Sequence, residues 1–140
     1  IAANPDLKAI HCVSGAVTLA VYQAVKTAGL EDQIMFTSYD GNSDELIAVK
    51  DGQFYSTVLT GAKKTGYWNI QVALQLAAGA RPENHVLNMD THFVLNEEHI
   101  QDFKDMGIEN TENVSLITPD EASKLAENYR DELYDPDLLK

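Results

Sequence analysis

Three dipeptides in the first half of the chain could do chemistry together: Ser14-Gly15, Asp40-Gly41 and Thr60-Gly61. Each joins a hydroxyl or carboxyl side chain to a glycine. Asp40 is the strongest of the three. A carboxylate accepts two or more hydroxyl hydrogen bonds of the charge-assisted kind, which are shorter and stronger than neutral ones. Ser14 and Thr60 each add a hydroxyl that both donates and accepts. Gly15, Gly41 and Gly61 would let a ligand, or another backbone, approach closely. The chemistry this suggests is a rim of donors and acceptors that grips something polar. The plainer alternative is that Ser14, Asp40 and Thr60 only cap the helices that follow them. One such pair would favour that alternative; three at equivalent positions favour a ligand rim.

Other reactive residue types assemble less well. His11 and Cys12 are neighbours on an extended stretch, so their side chains point to opposite faces. A Cys-His nucleophile needs hydrogen-bond contact, and a small buried Cys is the better reading. His85, His92 and His99 recur every seven residues across a loop, a strand and a helix, which is not a metal-ligand spacing. Gly61-Ala62-Lys63-Lys64-Thr65-Gly66 lacks the ending of a phosphate-binding loop and reads as a loop entering a helix. Tyr67-Trp68 could stack on a sugar face, but a packing role in a lobe interface is the stronger expectation. No cofactor and no metal is expected.

Each polar-glycine pair closes a strand and opens a helix. Leu7–Val13 suits a buried strand, and Gly15–Ala28 has helical spacing with Val17, Ala20, Val21, Ala24 and Val25 on one face. Ile34–Tyr39 is the second strand. Asn42 or Ser43 caps a helix with Leu46, Ile47 and Val49 inward, and Phe54–Leu59 is the third strand. Thr65–Ala78 is a helix with an Ile70, Ala73, Leu74, Ala77 stripe, and Met89–Leu95 a fourth strand. Asn96 caps a short helix, and Val114–Ile117 is extended. Thr118-Pro119-Asp120-Glu121 is a capping box with Pro at the first helical position, predicting a helix to about Leu133 that Asp135-Pro136 ends. The alternation predicts an α/β fold: a parallel sheet with helices on both faces. In such sheets ligands bind beyond the C-terminal ends of the strands, where the three pairs lie.

The 140 residues suit one domain or a piece of a larger one, and 44% hydrophobic residues are enough for a core. A net charge of −12 argues against nucleic acid and anionic membrane surfaces, which need clustered Lys and Arg. The acidity concentrates in residues 97–140, which carry 13 of the 22 acidic side chains and only 4 basic ones. That reads as a solvated tail. Cys12 stands alone, so no internal disulfide forms and cysteine usage does not reveal the compartment. No apolar run reaches membrane-spanning length, so no membrane insertion is expected. The opening IAANPDLKAI reads as the end of a helix running into a turn, and a processed or truncated product, its signal peptide lost, is the expectation.

The runs PDLKAIHCVSGAVTLAVYQAVKTAGL, IMFTSYDGNSDELIAVKDGQFYSTVLT and TGYWNIQVALQLAAG resemble the C-terminal half of the type 1 periplasmic binding proteins. These are sugar receptors of ABC transporters, of the ribose-binding kind, related to LacI-type repressor effector domains. The resemblance covers about residues 4–100 and implies a partial chain of the periplasmic binding protein-like I fold. It divides the chain into 1–108, the C-terminal part of that fold, and 109–140, an acidic extension with a helix. It implies two lobes joined by a hinge with ligand in the cleft. Thr65–Ala78 would pack on the other lobe, and the Met89–Leu95 region would return across the hinge.

The resemblance matches Asp40 to the family's sugar-binding aspartate. Ser14 stands where an asparagine is usual, Gly15 where an aspartate is usual, and Thr60 where a glutamine is usual. These shorter side chains leave room for a ligand other than ribose, or for waters. The implied function is a periplasmic substrate-binding protein that captures a sugar or polyol for an ABC importer and does no chemistry. Asp40, Ser14 and Thr60 would hold the ligand beside Gly15 and Gly41. The implied partners are the transporter permease and either the missing N-terminal lobe or a second copy of the chain. A ligand-sensing domain is the alternative: a repressor effector domain, then cytoplasmic, or the receptor partner of a sensor kinase. A small flavodoxin-shaped enzyme would need an acid, base or nucleophile converging on the rim, and the rim offers one carboxylate.

Overall fold

The computed structural model describes residues 1, 3–81, 91–111 and 114–130. His85, Met89, Leu133 and Asp135-Pro136 of the expectations above lie outside them. Strands and helices alternate as β1 (Ala9–His11), α1 (Gly15–Thr27), β2 (Met35–Thr37), α2 (Ser43–Lys50), β3 (Ser56–Leu59), α3 (Ala62–Ala77), β4 (Thr91–Leu95), α4 (Glu97–Asp105), β5 (Val114–Ile117) and α5 (Pro119–Glu127). The expected boundaries hold to within a few residues for most elements. Two capping boxes start α2 and α5. Asn42 Oδ1 accepts from Glu45 N while Glu45 Oε2 accepts from Asn42 N, and Thr118 and Glu121 repeat the exchange. Pro119 fills the first position of α5, where no N–H is needed.

The strands form one sheet in the order β1-β2-β3-β4-β5. β1, β2 and β3 are parallel, as are β4 and β5, but β4 runs antiparallel to β3. The sheet is therefore mostly parallel, as expected, with the one departure that β4 pairs antiparallel with β3. The reason lies in α3. A crossover helix lies back on the sheet and returns the chain to the edge where the strand began. α3 shares no substantial packing with any strand, and Ile70 and Leu74 of its expected core stripe are 63% and 61% exposed. It leaves the sheet, so the chain comes back in the opposite sense. Thr91–Leu95, which the resemblance sends across a hinge, pairs directly with β3.

Handedness then places the other helices. The strand order advances in one direction, so right-handed crossovers put α1 and α2 on the same face. β4 and β5 advance the same way but point oppositely, so their crossover helix α4 falls on the other face. The packing agrees. On the first face Tyr22 and Val25 of α1 meet Phe36 of β2, Ala48 and Val49 of α2, and Phe54. Tyr22 meets Phe36 and Phe54 edge-on at 5.3 and 5.9 Å between ring centroids. Further along that face Leu46, Leu59 and Val94 pack under Ala122 and Leu125 of α5. On the second face Ile100 and Phe103 of α4 cover Leu95, Leu116 and Tyr55.

Two helix faces differ from the expected ones. The buried positions of α1 are Gly15, Thr18, Tyr22 and Val25, and Val17 is 52% exposed. Tyr22 carries far more apolar area than any Val or Ala of the rival stripe, so it decides which way the helix turns. In α2 the inward residues are Glu45, Leu46, Ala48 and Val49, while Ile47 points outward.

Candidate functional site

The C-terminal ends of β1, β2 and β3 bring Ser14, Asp40 and Thr60 to one edge, and Asp40 bonds to Gly15, next to Ser14, and to Thr60. The chain after β2 makes one further parallel bridge, Asp40 to Leu59, with Asp40 N donating to Val58 O at 3.1 Å. Asp40 O accepts from both the N–H and the hydroxyl of Thr60, at 3.2 and 3.1 Å. Asp40 Oδ2 accepts from Gly15 N, the first N–H of α1, at 3.3 Å. Ser14 occupies the N-cap position of α1 with an extended backbone, yet its side chain makes no capping bond. The carboxyl that satisfies this helix end comes from Asp40, twenty-five residues along the chain. The simple capping alternative thus fails for Ser14, and Thr60 spends its hydroxyl on Asp40 O.

The backbone here is held under strain. Asp40 has φ of 115°, a region that L side chains rarely adopt and that Asp tolerates better than most. Gly41 follows at φ of 70°, and a Cβ there would lie 2.6 Å from Leu59 Cα. Only glycine lets the β2–α2 turn lie this close to β3. The turn projects the Asp40 side chain at the strand end instead of burying it in the sheet, and strain of this kind concentrates at ligand-gripping positions.

Gly15 has a different reason. A Cβ at Gly15 would sit 2.1 Å from Glu45 Cδ. Glu45 is fully buried, and its carboxyl accepts from Ser38 Oγ at 2.5 Å, Thr57 Oγ1 at 2.8 Å and Asn42 N at 2.9 Å. It ties α2 to β2 and β3 directly beneath the N-terminus of α1. An aspartate at position 15, the usual residue of the resembled family, would collide with it. Glu45 was not among the expected site residues. The Asn42-x-x-Glu45 spacing was its only signal, and a capping box ordinarily lies at the surface.

A cavity of about 200 Å³ opens beside Asp40 between α2, the start of α3 and α5. Asp40 and Gly41 line it; Ser14, Gly15 and Thr60 do not. Leu46, Leu59 and Leu125 also line it, with Tyr129 just past the end of α5. Gly61, at φ of 66°, lets the first turn of α3 fold Lys64 over the rim; Lys64 is 6% exposed and its Cε lies 3.1 Å from a Gly61 Cβ position. Tyr67 meets Trp68 at 5.0 Å and Tyr129 at 5.7 Å, both edge-on, and the Arg130 guanidinium lies 5.6 Å over the Tyr67 ring. Tyr67 therefore packs against residues of its own chain, whereas its sequence suggested packing at a lobe interface.

The remaining candidates are apart from this rim. Cys12 is partly buried and free. His92 Nδ1 lies 2.6 Å from Ser115 Oγ, and His99 stacks on Tyr55 at 4.0 Å. Burial holds the Tyr55 phenol above its ordinary value, with Asp102 adding to it. Among the described residues no three His, Cys, Asp or Glu gather as metal ligands, and no helix is long and apolar enough to cross a membrane.

Comparison with known proteins gives this geometry a context. The chain is 35% identical over 81 residues to the D-ribose/D-allose-binding protein of Pseudomonas aeruginosa, covering 58% of this chain and 25% of that protein. It is 30% identical over 81 residues to the ribose import binding protein RbsB of Salmonella typhimurium, covering 58% and 27%. The chain thus spans about a quarter of the length of these curated relatives. Among solved structures it resembles a periplasmic solute-binding protein of an ABC transporter from Actinobacillus succinogenes with bound D-allose, at a TM-score of 0.64 and 25% identity over 71% of this chain and 35% of that one. A solute-binding protein from Agrobacterium vitis with bound D-fucose gives 0.62 and 26%, over 76% and 35%. Residues 1–81, the stretch that carries Ser14, Asp40 and Thr60, match the model of the periplasmic binding protein domain. With more than half of its length matched in this way, the chain belongs to the periplasmic binding protein domain family.

Proposed function

We propose that the chain is the ligand-gripping part of a periplasmic receptor that captures a sugar or polyol for an ABC importer. One observation carries the reading: the Asp40 carboxylate is held at the end of β2 in a strained conformation, φ 115°, at the mouth of a cavity. Its Oδ2 takes the first N–H of α1, and no other protein donor to the carboxylate is found among the described residues. That leaves acceptor capacity for ligand hydroxyls, in charge-assisted bonds. Ser14, with no capping bond of its own, and Thr60, anchored to Asp40 O, follow the ends of the neighbouring strands as further candidate ligand residues outside the cavity lining, and Gly41 lines the cavity beside Asp40. The ribose- and allose-binding relatives, and the neighbours with bound D-allose and D-fucose, support a monosaccharide and an importer partner. Among the described residues the cavity carries one carboxylate, which grips rather than reacts in this reading, and the relatives it resembles are binding proteins, which supports capture. The mechanism is equilibrium binding, with closure against a second lobe burying the ligand.

The test is calorimetry of the full-length protein against a panel of pentoses, hexoses and polyols. Asp40→Asn removes the charge and keeps the size. It is expected to weaken the cognate sugar by roughly 10- to 100-fold, the worth of hydrogen bonds to a charged group. Unchanged affinity would sink the assignment of Asp40.

A further inference from the structure

α3 joins the rest of the chain through a pivot. Gly61 stands between β3 and α3 at φ of 66°, in the left-handed region, and caps the helix with no side-chain bond. Among the described residues α3 shares no substantial packing with any strand or helix, and Ile70 and Leu74 point outward. A helix set on a glycine can swing, because such end residues absorb backbone rotation. What meets it is the segment just past α5. Tyr129 lies edge-on to the Tyr67 ring at 5.7 Å. The Arg130 guanidinium lies 5.6 Å from the centre of Tyr67 and 5.5 Å from that of Tyr129, and its Nε donates to Tyr129 Oη at 3.2 Å. α5 gives these two residues a firm base. Its Ala122 is fully buried, and with Leu125 it packs on Leu46, Leu59 and Val94. Lys50 of α2 pairs with Asp120 at 2.6 Å.

The same contact borders the cavity beside Asp40. The first turn of α3, from Gly61 to Lys64, lines that cavity, and so do Leu125, Ala126 and Tyr129. Tyr129 thus meets the cavity and Tyr67 at once. A swing of α3 about Gly61 would carry Ala62, Lys63 and Lys64 away and open the cavity on that side. Tyr129 and Arg130 both lie outside residues 1–81, the stretch that matches the family model. We infer that Tyr129, braced by Arg130, is a positioning residue for ligand capture: it pins α3 in the orientation that shapes the cavity, so ligand and latch favour the same state. A binding-competent state populated only in part lowers the apparent affinity by that fraction. An edge-on ring pair with a cation over it is worth roughly three- to tenfold in such an equilibrium. Only the effect on affinity rests on the sugar-capture reading; the hold on α3 does not. Residues 119–130 then serve the site, and the acidic C-terminal stretch does more than keep the protein in solution.

Hydrogen exchange and calorimetry on the full-length protein test the two parts separately. In Tyr129→Ala the amides of residues 65–72 are expected to exchange roughly three- to tenfold faster than in the parent, with those of α1 unchanged. The tightest-binding member of the pentose, hexose and polyol panel is expected to lose roughly three- to tenfold in affinity. Tyr129→Phe keeps the ring and drops the hydroxyl, and should stay within about twofold of the parent in both readouts. Thermal unfolding shows whether each variant is folded. If Tyr129→Ala is not, Arg130→Ala, which removes the cation from both rings, carries the test in the same direction. Unchanged exchange in α3 overturns the inference. So does faster exchange with unchanged affinity, which would leave the latch without a part in capture. A Tyr129→Phe protein as weak as Tyr129→Ala also overturns it, since the effect would then lie in the phenol hydroxyl as a ligand group. If no sugar of the panel binds the parent, the capture reading falls, and exchange alone decides whether Tyr129 holds α3.

Discussion

In the proposed reading Asp40 serves two purposes, and substitutions separate them. Its carboxylate takes the first N–H of α1 and offers itself to the cavity; its backbone sits at φ 115°. Ala at this position loses the cap and keeps the strain, and is expected to cost about 1–3 kcal/mol of stability. Gly loses the cap but relaxes the backbone, and is expected to cost less than about 1 kcal/mol. Both should lose ligand equally. Denaturant unfolding and calorimetry on the two variants check this. An Asp40→Ala protein as stable as the Asp40→Gly protein would mean that the turn adapts and that no strain is stored.

Glu45 and Gly15 form the second residue-scale device. Gly15→Ala drives a methyl to within 2.1 Å of Glu45 Cδ, in a carboxyl that three hydrogen bonds hold still. The expected cost is about 2–3 kcal/mol, the range for overpacking a filled site. Glu45→Ala leaves Ser38, Thr57 and the Asn42 N–H without their acceptor and is expected to cost about 3 kcal/mol. Because the methyl that Gly15→Ala introduces would fill the space that Glu45 vacates, the double substitution should cost less than the sum by at least about 1 kcal/mol. Simple additivity in a double-mutant cycle would show that the two sites do not touch.

Among the elements, α5 is the one whose docking depends on pH. Glu121 lies below its ordinary value of 4.5 because the Thr118 backbone N–H, and then its hydroxyl, bond to the carboxylate. Asp120 lies below its ordinary value of 3.8 through its hydrogen bond and ion pair with Lys50, at 2.6 Å. Groups depressed in the folded state stabilise it above their unfolded values, and that contribution is lost as pH falls through the folded ones. The Thr118–Glu121 cap of α5 should therefore weaken as pH falls below about 4.5, and the Lys50–Asp120 tie to α2 below about 3.8, with both unaffected from there to neutrality. Glu121→Gln should flatten the fall in melting temperature between about pH 5 and 3 relative to the parent, by an amount kept small by the exposure of the pair. An identical acid profile in parent and variant would place the acid sensitivity elsewhere.

How far these elements could be read in advance depended on what each signal measures. Caps, the Pro119 start and the glycine stops are local rules, and α2, α4, β5 and the start of α5 came out nearly where those rules put them. Which face a helix buries is not local. Spacing in α1 allowed the Val17 stripe as readily as the Tyr22 one, and only a partner for the Tyr ring, Phe36 with Phe54, decides between them. The reversal of β4 was hidden for the same reason: alternation reveals that a strand follows a helix, not that the helix has left the sheet. The placement of Ser14, Asp40 and Thr60 past the ends of neighbouring strands was legible because each follows a strand and precedes a glycine. Glu45 was not, since a buried carboxyl needs donors on two other strands that no one-dimensional spacing displays.

For the whole molecule, the surface is as informative as the core. α3 turns Ile70, Leu74 and Leu76 to the outside at 63%, 61% and 40% exposure, and only Lys64 among its residues is buried. Met35 and Phe93, on the sheet face that α4 only partly covers, are 45% and 37% exposed. The curated relatives are about four times as long as the portion matched here, so apolar surface of this extent is what a part of a larger binding protein would show. The core under α1 and α2 does not depend on it, because Tyr22, Phe36, Phe54 and Val49 are buried within the chain. Ile70→Lys with Leu74→Lys is therefore expected to shift the unfolding free energy of the 140-residue chain by no more than about 0.5 kcal/mol, the usual range for surface positions. The same pair should reduce binding of an apolar dye and any concentration-dependent association seen by light scattering. In a full-length receptor the outcome should invert: two lysines at a covered face would destabilise closure and weaken ligand. Equal tolerance in both settings would mean that α3 faces solvent in the intact protein as well, and that the second lobe meets this chain somewhere other than Ile70 and Leu74.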